Sequence, residues 1–85
     1  MKVLVIYDIS EDKIRNKVAE VCKDYGLARI QWSAFFGKLS TNRREELFMK
    51  LTKTLKSNDG IIQLFPICSK DLNLKQEIDN GGVGK

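Results

Sequence analysis

The 85-residue chain has no histidine at all, which removes the commonest general base and the commonest metal-binding side chain. Any catalysis must then use carboxylates, hydroxyls or a hard metal ion. Cysteine is scarce: Cys22 and Cys68 are far apart, with no C-x-x-C spacing and no signal-peptide pattern. Neither a disulfide framework nor a zinc site fits that arrangement, and both thiols are expected to be buried. No apolar run approaches the ~20 residues of a membrane span, so a soluble, cytoplasmic chain is expected. The single proline, Pro66, falls inside a strand-like run, and proline cannot donate to a sheet ladder. No repeat, linker or low-complexity segment divides the sequence. A chain this short buries only roughly 60% of the surface it exposes when unfolded, so something should supplement its core.

What is present begins with Val3-Leu4-Val5-Ile6-Tyr7-Asp8-Ile9. Its side chains alternate between two faces, both apolar until Asp8, as in a strand at the centre of a sheet. Ser10 can cap a following helix whose first turn carries Glu11 and Asp12. Ile14, Val18, Val21, Cys22 and Tyr25 supply that helix with an apolar stripe, and Gly26 ends it. Leu27 to Leu39 alternates as β structure, either as one long strand or as two short strands joined by a tight bend. Asn42 with Glu45 has the spacing of a capping box for a second helix, with Leu47, Phe48, Leu51 and Leu55 as its buried face. Arg43, Arg44, Lys50, Lys53 and Lys56 lie on its outer face, a pattern that also suits plain solvation. The turn Ser57-Asn58-Asp59-Gly60 leads into a strand over Ile61 to Cys68, and Pro66 places that strand at a sheet edge or ends its pairing there. Leu72, Leu74, Gln76 and Ile78 suggest a short additional C-terminal strand. The expected organisation is one domain over residues 1–79 with a mobile tail over 80–85.

This order is that of an α+β, ferredoxin-like βαββαβ sandwich, with two helices on one face of an antiparallel sheet. Two helices cover one face only, while the first and last main strands are apolar on both. A homodimer packed sheet to sheet would cover the remainder and enlarge the core.

Asp8 stands where the first strand ends, held on a rigid element at the edge of the core. Alone it makes a poor active site. A two-fold axis near that strand end would bring two Asp8 carboxylates together, and they repel unless a proton or cation lies between them. Mg²⁺ commonly binds through one or two carboxylates and keeps several waters. Asp8-Ile9-Ser10-Glu11 also has capping-box spacing, so a plain helix cap fits the same letters. The net charge of +4, with fifteen Lys and Arg against eleven Asp and Glu, makes a polyanionic partner plausible. Arg15 and Lys17 fall on the solvated flanks of the first helix's apolar stripe, near the same end of the sheet as Asp8, where they could meet phosphates or serve as ordinary surface charge.

Four segments, Tyr7-Asp8-Ile9, Ile14-Arg15-Asn16-Lys17-Val18-Ala19, the run Gly26 to Phe35 and the run Asp59 to Cys68, closely resemble the CRISPR-associated protein 2 family. The resemblance covers residues 2 to about 68, and its most specific part is Arg29-x-Gln31-x-Ser33-x-Phe35 downstream of the Tyr-Asp-Ile strand. It implies a ferredoxin-like homodimer in the spacer-acquisition step of CRISPR immunity, bridging copies of a larger integrase partner. It also implies a metal-dependent endonuclease acting on single-stranded RNA or duplex DNA, with Mg²⁺ as cofactor. By position, Asp8 matches the family's metal-binding catalytic aspartate at the dimer axis and Tyr7 its neighbour. Arg15, Lys17 and Arg29 match basic positions that contact phosphates, and Phe35 closes the motif near the cleft. Two short strands within Leu27 to Leu39 are implied as well, with the last weak strand pairing with the partner subunit.

Three other readings share the fold: a non-catalytic DNA-bridging scaffold, a toxin-type ribonuclease, and a regulatory module for a small ligand. An RNA-recognition-motif domain is excluded, since no strand carries that family's basic-Gly-aromatic signature.

Overall fold

The computed structural model describes residues 1–68, 70 and 76–78. Among them the chain runs β1 (Lys2–Asp8), α1 (Asp12–Asp24), β2 (Ala28–Gln31), β3 (Ala34–Lys38), α2 (Thr41–Leu55) and β4 (Ile61–Ile67). The sheet order is β2-β3-β1-β4 and every pairing is antiparallel. This is the ferredoxin-like α+β arrangement, with the helices packed together on one face. The expected strand at Leu72, Leu74, Gln76 and Ile78 and the tail over 80–85 lie outside the described residues, apart from Gln76 and Ile78.

β1 holds the centre because both of its edges are paired and one of its faces is sealed. Val3 and Val5 have no exposed surface and Tyr7 almost none. They meet Ile14, Val18, Ala19, Val21 and Cys22 of α1, Leu47 and Leu51 of α2, and Phe35 of β3 in a single core. At roughly 1.5–3 kcal/mol for each large apolar side chain buried, these contacts are the main stabilising force.

The helix ends differ from the capping pattern expected of the sequence. α1 has Glu11 at its N-cap position with no side-chain cap, so neither Ser10 nor Asp8 caps it. Its C-terminus closes through Gly26 N–H to the Lys23 carbonyl and Leu27 N–H to the Cys22 carbonyl, at 2.9 and 3.1 Å. That is a Schellman closure, and it needs the left-handed backbone that Gly26 supplies at φ +83°. α2 is capped by Ser40, whose hydroxyl accepts from the Arg43 N–H at 3.2 Å, rather than by Asn42. The buried face of α2 is Leu47 and Leu51, with Leu55 partly covered, while Phe48 is 51% exposed and does not join the core.

Leu27 to Leu39 forms two strands, with the chain bending at Trp32-Ser33 and a register shift between Arg29 and Gln31. A single strand over these thirteen residues would outrun the seven residues of β1 and leave backbone groups unpaired. Folding back pairs them with each other, and the Ser33 carbonyl also accepts from the Tyr7 N–H at 3.0 Å.

β4 lies at a sheet edge as Pro66 requires, with Pro66 in register with Val3. Cys68, just beyond it, is exposed, against the expectation of two buried thiols; only Cys22 is enclosed. No helix among the described residues is long and apolar enough to cross a membrane.

Candidate metal and nucleic-acid sites

The register of β1 separates its two candidate site residues. Tyr7 points to the helix side and Asp8 to the open side of the sheet, so one chain does not bring their side chains into one site. Asp8 pairs with Ile61 across β4 and its side chain is exposed. Its carboxylate makes no hydrogen bond or ion pair among the described residues. Beside it, Gly60 adopts φ +152°, and a Cβ there would lie 2.9 Å from the Ile9 side chain and 3.1 Å from the Asp8 carbonyl oxygen. Glycine therefore lets the loop before β4 close against the end of β1 and fixes where Asp8 stands.

Around Asp8 the open face is largely apolar, interrupted by Gln63 in register with Ile6. Leu4 is in register with Phe36 on one side and Phe65 on the other, and Ile6 and Ile61 extend the patch toward Asp8. Ile6, Ile61 and Phe65 are 37%, 61% and 42% exposed. No group of three or more His, Cys, Asp or Glu side chains that could hold a metal ion occurs among the described residues. At the end of β1 the carboxylate available to a hard cation is that of Asp8, which no described residue engages.

On the helix side, at the same end of β1, a second constellation forms. The Tyr7 and Phe35 rings stack with centroids 6.3 Å apart and an interplanar angle of 19°. The Arg29 guanidinium lies 5.1 Å from the Phe35 ring centre and 5.5 Å from that of Trp32. Arg15 approaches Trp32 from α1 at 5.9 Å. It is held there by the Ile9 carbonyl at 3.2 Å and by the Asp12 carboxylate one turn before it. Phe35 itself is fully buried, so it supports Arg29 from below and does not reach the surface. The Tyr7 hydroxyl is buried with no hydrogen-bond partner among the described residues. Burial raises its pKa above the usual phenol value, and the nearby Arg29 and Arg15 charges offset part of that rise.

Lys17 is elsewhere. It lines a groove between the helices with Glu20, Asp24, Lys50, Lys53 and Lys56, so its nearest basic neighbours are those of α2. The six expected residues therefore fall in three places: Asp8 on the open face, Tyr7, Arg15, Arg29 and Phe35 on the opposite side, and Lys17 between the helices. Sequence reasoning missed Trp32. Strict alternation would put it on the face of Ala34 and Phe36, and only the bend frees its ring to meet the two arginines.

The fold and this arrangement define a small ferredoxin-like α+β domain whose central strand ends in an exposed, uncommitted aspartate, with Arg15 and Arg29 on the opposite side of the sheet. Residues 1–74 match the family model for CRISPR associated protein Cas2, and the chain belongs to that family. It is 52% identical over 79 residues to the CRISPR-associated endoribonuclease Cas2 of Desulforudis audaxviator, covering 93% of this chain and 74% of that one. It is 36% identical over 78 residues to a CRISPR-associated endonuclease Cas1/endonuclease Cas2 fusion of Thermoproteus tenax, covering 92% of this chain and 30% of the fusion. The crystal structure of Streptococcus pyogenes Cas2 superposes with a TM-score of 0.76 over 93% of this chain and all of that one. At 24% identity that likeness concerns the fold.

Proposed function

We propose that this chain is a metal-dependent endonuclease of CRISPR adaptation, acting on the phosphodiester backbone of RNA or duplex DNA. The observation that carries this reading is Asp8, an exposed carboxylate with no partner among the described residues, set at the end of an open apolar face. A second copy packed on that face, with its axis near the end of β1, would bring two such carboxylates together. The hard oxygen donors of Asp8 and its symmetry mate suit Mg²⁺, which takes one or two carboxylates and keeps its other positions for water. When bound, such an ion supplies Lewis-acid polarisation of a phosphate oxygen and activation of a water molecule. Arg15 and Arg29, with Lys17 and the lysines of α2, hold the nucleic-acid backbone without reading its sequence, and that binding weakens with salt. Buried and stacked on Phe35, Tyr7 fixes the strand end behind Asp8 rather than meeting substrate.

Named relatives carry the words endoribonuclease and endonuclease, and the Thermoproteus tenax fusion joins its Cas2 part to Cas1. They support a nuclease role and an integrase of the Cas1 kind as partner. The alternative with structural support is a scaffold that bridges DNA without cutting it, since the basic groups stand apart from Asp8.

Asp8→Asn separates the two, because it keeps the size of the side chain and removes its charge. Endonuclease function predicts a folded variant that binds nucleic acid as before and loses magnesium-dependent cleavage by orders of magnitude. A scaffold predicts little cleavage in the parent chain and no change in bridging. Since Asp8 caps nothing, Asp8→Ala should alter stability by no more than about 0.5 kcal/mol. Full cleavage by a folded Asp8→Asn chain would contradict the proposal.

A further inference from the structure

Trp32 is the only tryptophan of the chain and is 53% exposed, at the bend between β2 and β3. The indole is not part of the hydrophobic core, and its surroundings are ordered from several sides. Arg29 is seated on Phe35, and Arg15 is tied to the Ile9 carbonyl and to Asp12. Both cations approach from the helix side, the one on α1 and the other above Phe35 in the core, so the indole belongs to that side. The apolar face that a second copy would cover, that of Ile6, Ile61 and Phe65, lies across the sheet from these cations.

We propose that Trp32 is a stacking platform for an unpaired base, with Arg15 and Arg29 taking the phosphates beside it. An exposed aromatic ring next to cationic groups is the general arrangement that binds single strands without sequence preference: the ring takes a base face and the cations follow the backbone. A base in a duplex has its faces covered by its neighbours. The platform therefore selects single-stranded segments and strand ends. This rests on the nucleic-acid role proposed above and narrows its substrate class to chains with unpaired nucleotides.

Because the chain has one tryptophan, its fluorescence reports on this ring alone. Titrating the full chain with a short oligothymidylate, an oligouridylate and a blunt duplex should quench the emission with both single strands and leave it nearly unchanged with the duplex. Trp32→Ala should weaken single-strand binding by roughly 5- to 150-fold and duplex binding by less than about two-fold. Trp32→Phe, which keeps a π face, should recover most of the loss. Tight single-strand binding without quenching, or unchanged affinity in Trp32→Ala, would overturn the stacking role and leave the backbone contacts intact. Equal losses on single strand and duplex would also overturn it, by showing that the ring only positions the arginines. Binding to none of the three probes would overturn both the platform and the nucleic-acid role.

Discussion

Cys22 lies on the buried face of α1, and burial pushes its thiol from 9.0 up to about 12, with the Arg29 charge offsetting part of the rise. The unfolded chain loses that proton near pH 9 and the folded chain keeps it, so above pH 9 the unfolded state binds fewer protons. Stability therefore falls as pH climbs from about 9 toward 12. The same burial governs reactivity, because the thiolate is the nucleophile. At pH 8 an alkylating reagent should label Cys68 in the native chain and reach Cys22 only on unfolding, giving one label per native chain by mass spectrometry and two in denaturant. Two labels on the native chain would contradict the enclosure of Cys22. In the sequence the two cysteines look alike, each in an apolar neighbourhood. What distinguishes them is that Cys68 follows an edge strand while Cys22 sits on the face of α1 that packs against the sheet, which is tertiary information. Asp8 was legible for the opposite reason, since a charge ending an apolar strand shows in the letters. Its isolation from Tyr7 follows from the two-residue period of that same strand.

At the scale of elements, periodicity located both helices, β1 and β4, and it failed where two local signals competed. Asn42 and Ser40 are both good caps, and the spacing to Glu45 favours Asn42. The fold selects Ser40 because Leu39 must reach the core and its N–H pairs with the Met1 carbonyl at 2.9 Å, so the chain leaves the sheet one residue later. The buried stripe of α2 is narrower than its apolar letters, with Phe48 lying beside Met49, Leu64 and Pro66 in an open groove. Leu51→Ala should consequently cost roughly 2–5 kcal/mol, Ser40→Ala about 1 kcal/mol, and Phe48→Ala less than about 1 kcal/mol. Denaturant unfolding of the three variants would test that order, and a Phe48→Ala loss as large as that of Leu51→Ala would place Phe48 in the core. The bend at Trp32-Ser33 has no glycine, proline, asparagine or aspartate to announce it. It is imposed by the length of β1, and with it went the signal for Trp32.

For the whole molecule, the two faces of the sheet have different tasks. One is sealed by helices and carries Tyr7, Arg15, Arg29 and Trp32 at its end. The other is largely apolar, is covered by neither α1 nor α2, and ends in Asp8. If two copies close those open faces on each other and share a cation between their Asp8 side chains, the metal stoichiometry differs from that of a site within one chain. Calorimetric titration of the full chain with Mg²⁺ measures that ratio directly. One ion should bind for every two chains, in a species of twice the 9.7 kDa chain mass, and Asp8→Asn should abolish the binding while leaving the dimer intact. One ion per chain in a monomer, or unchanged binding in Asp8→Asn, would contradict the shared site.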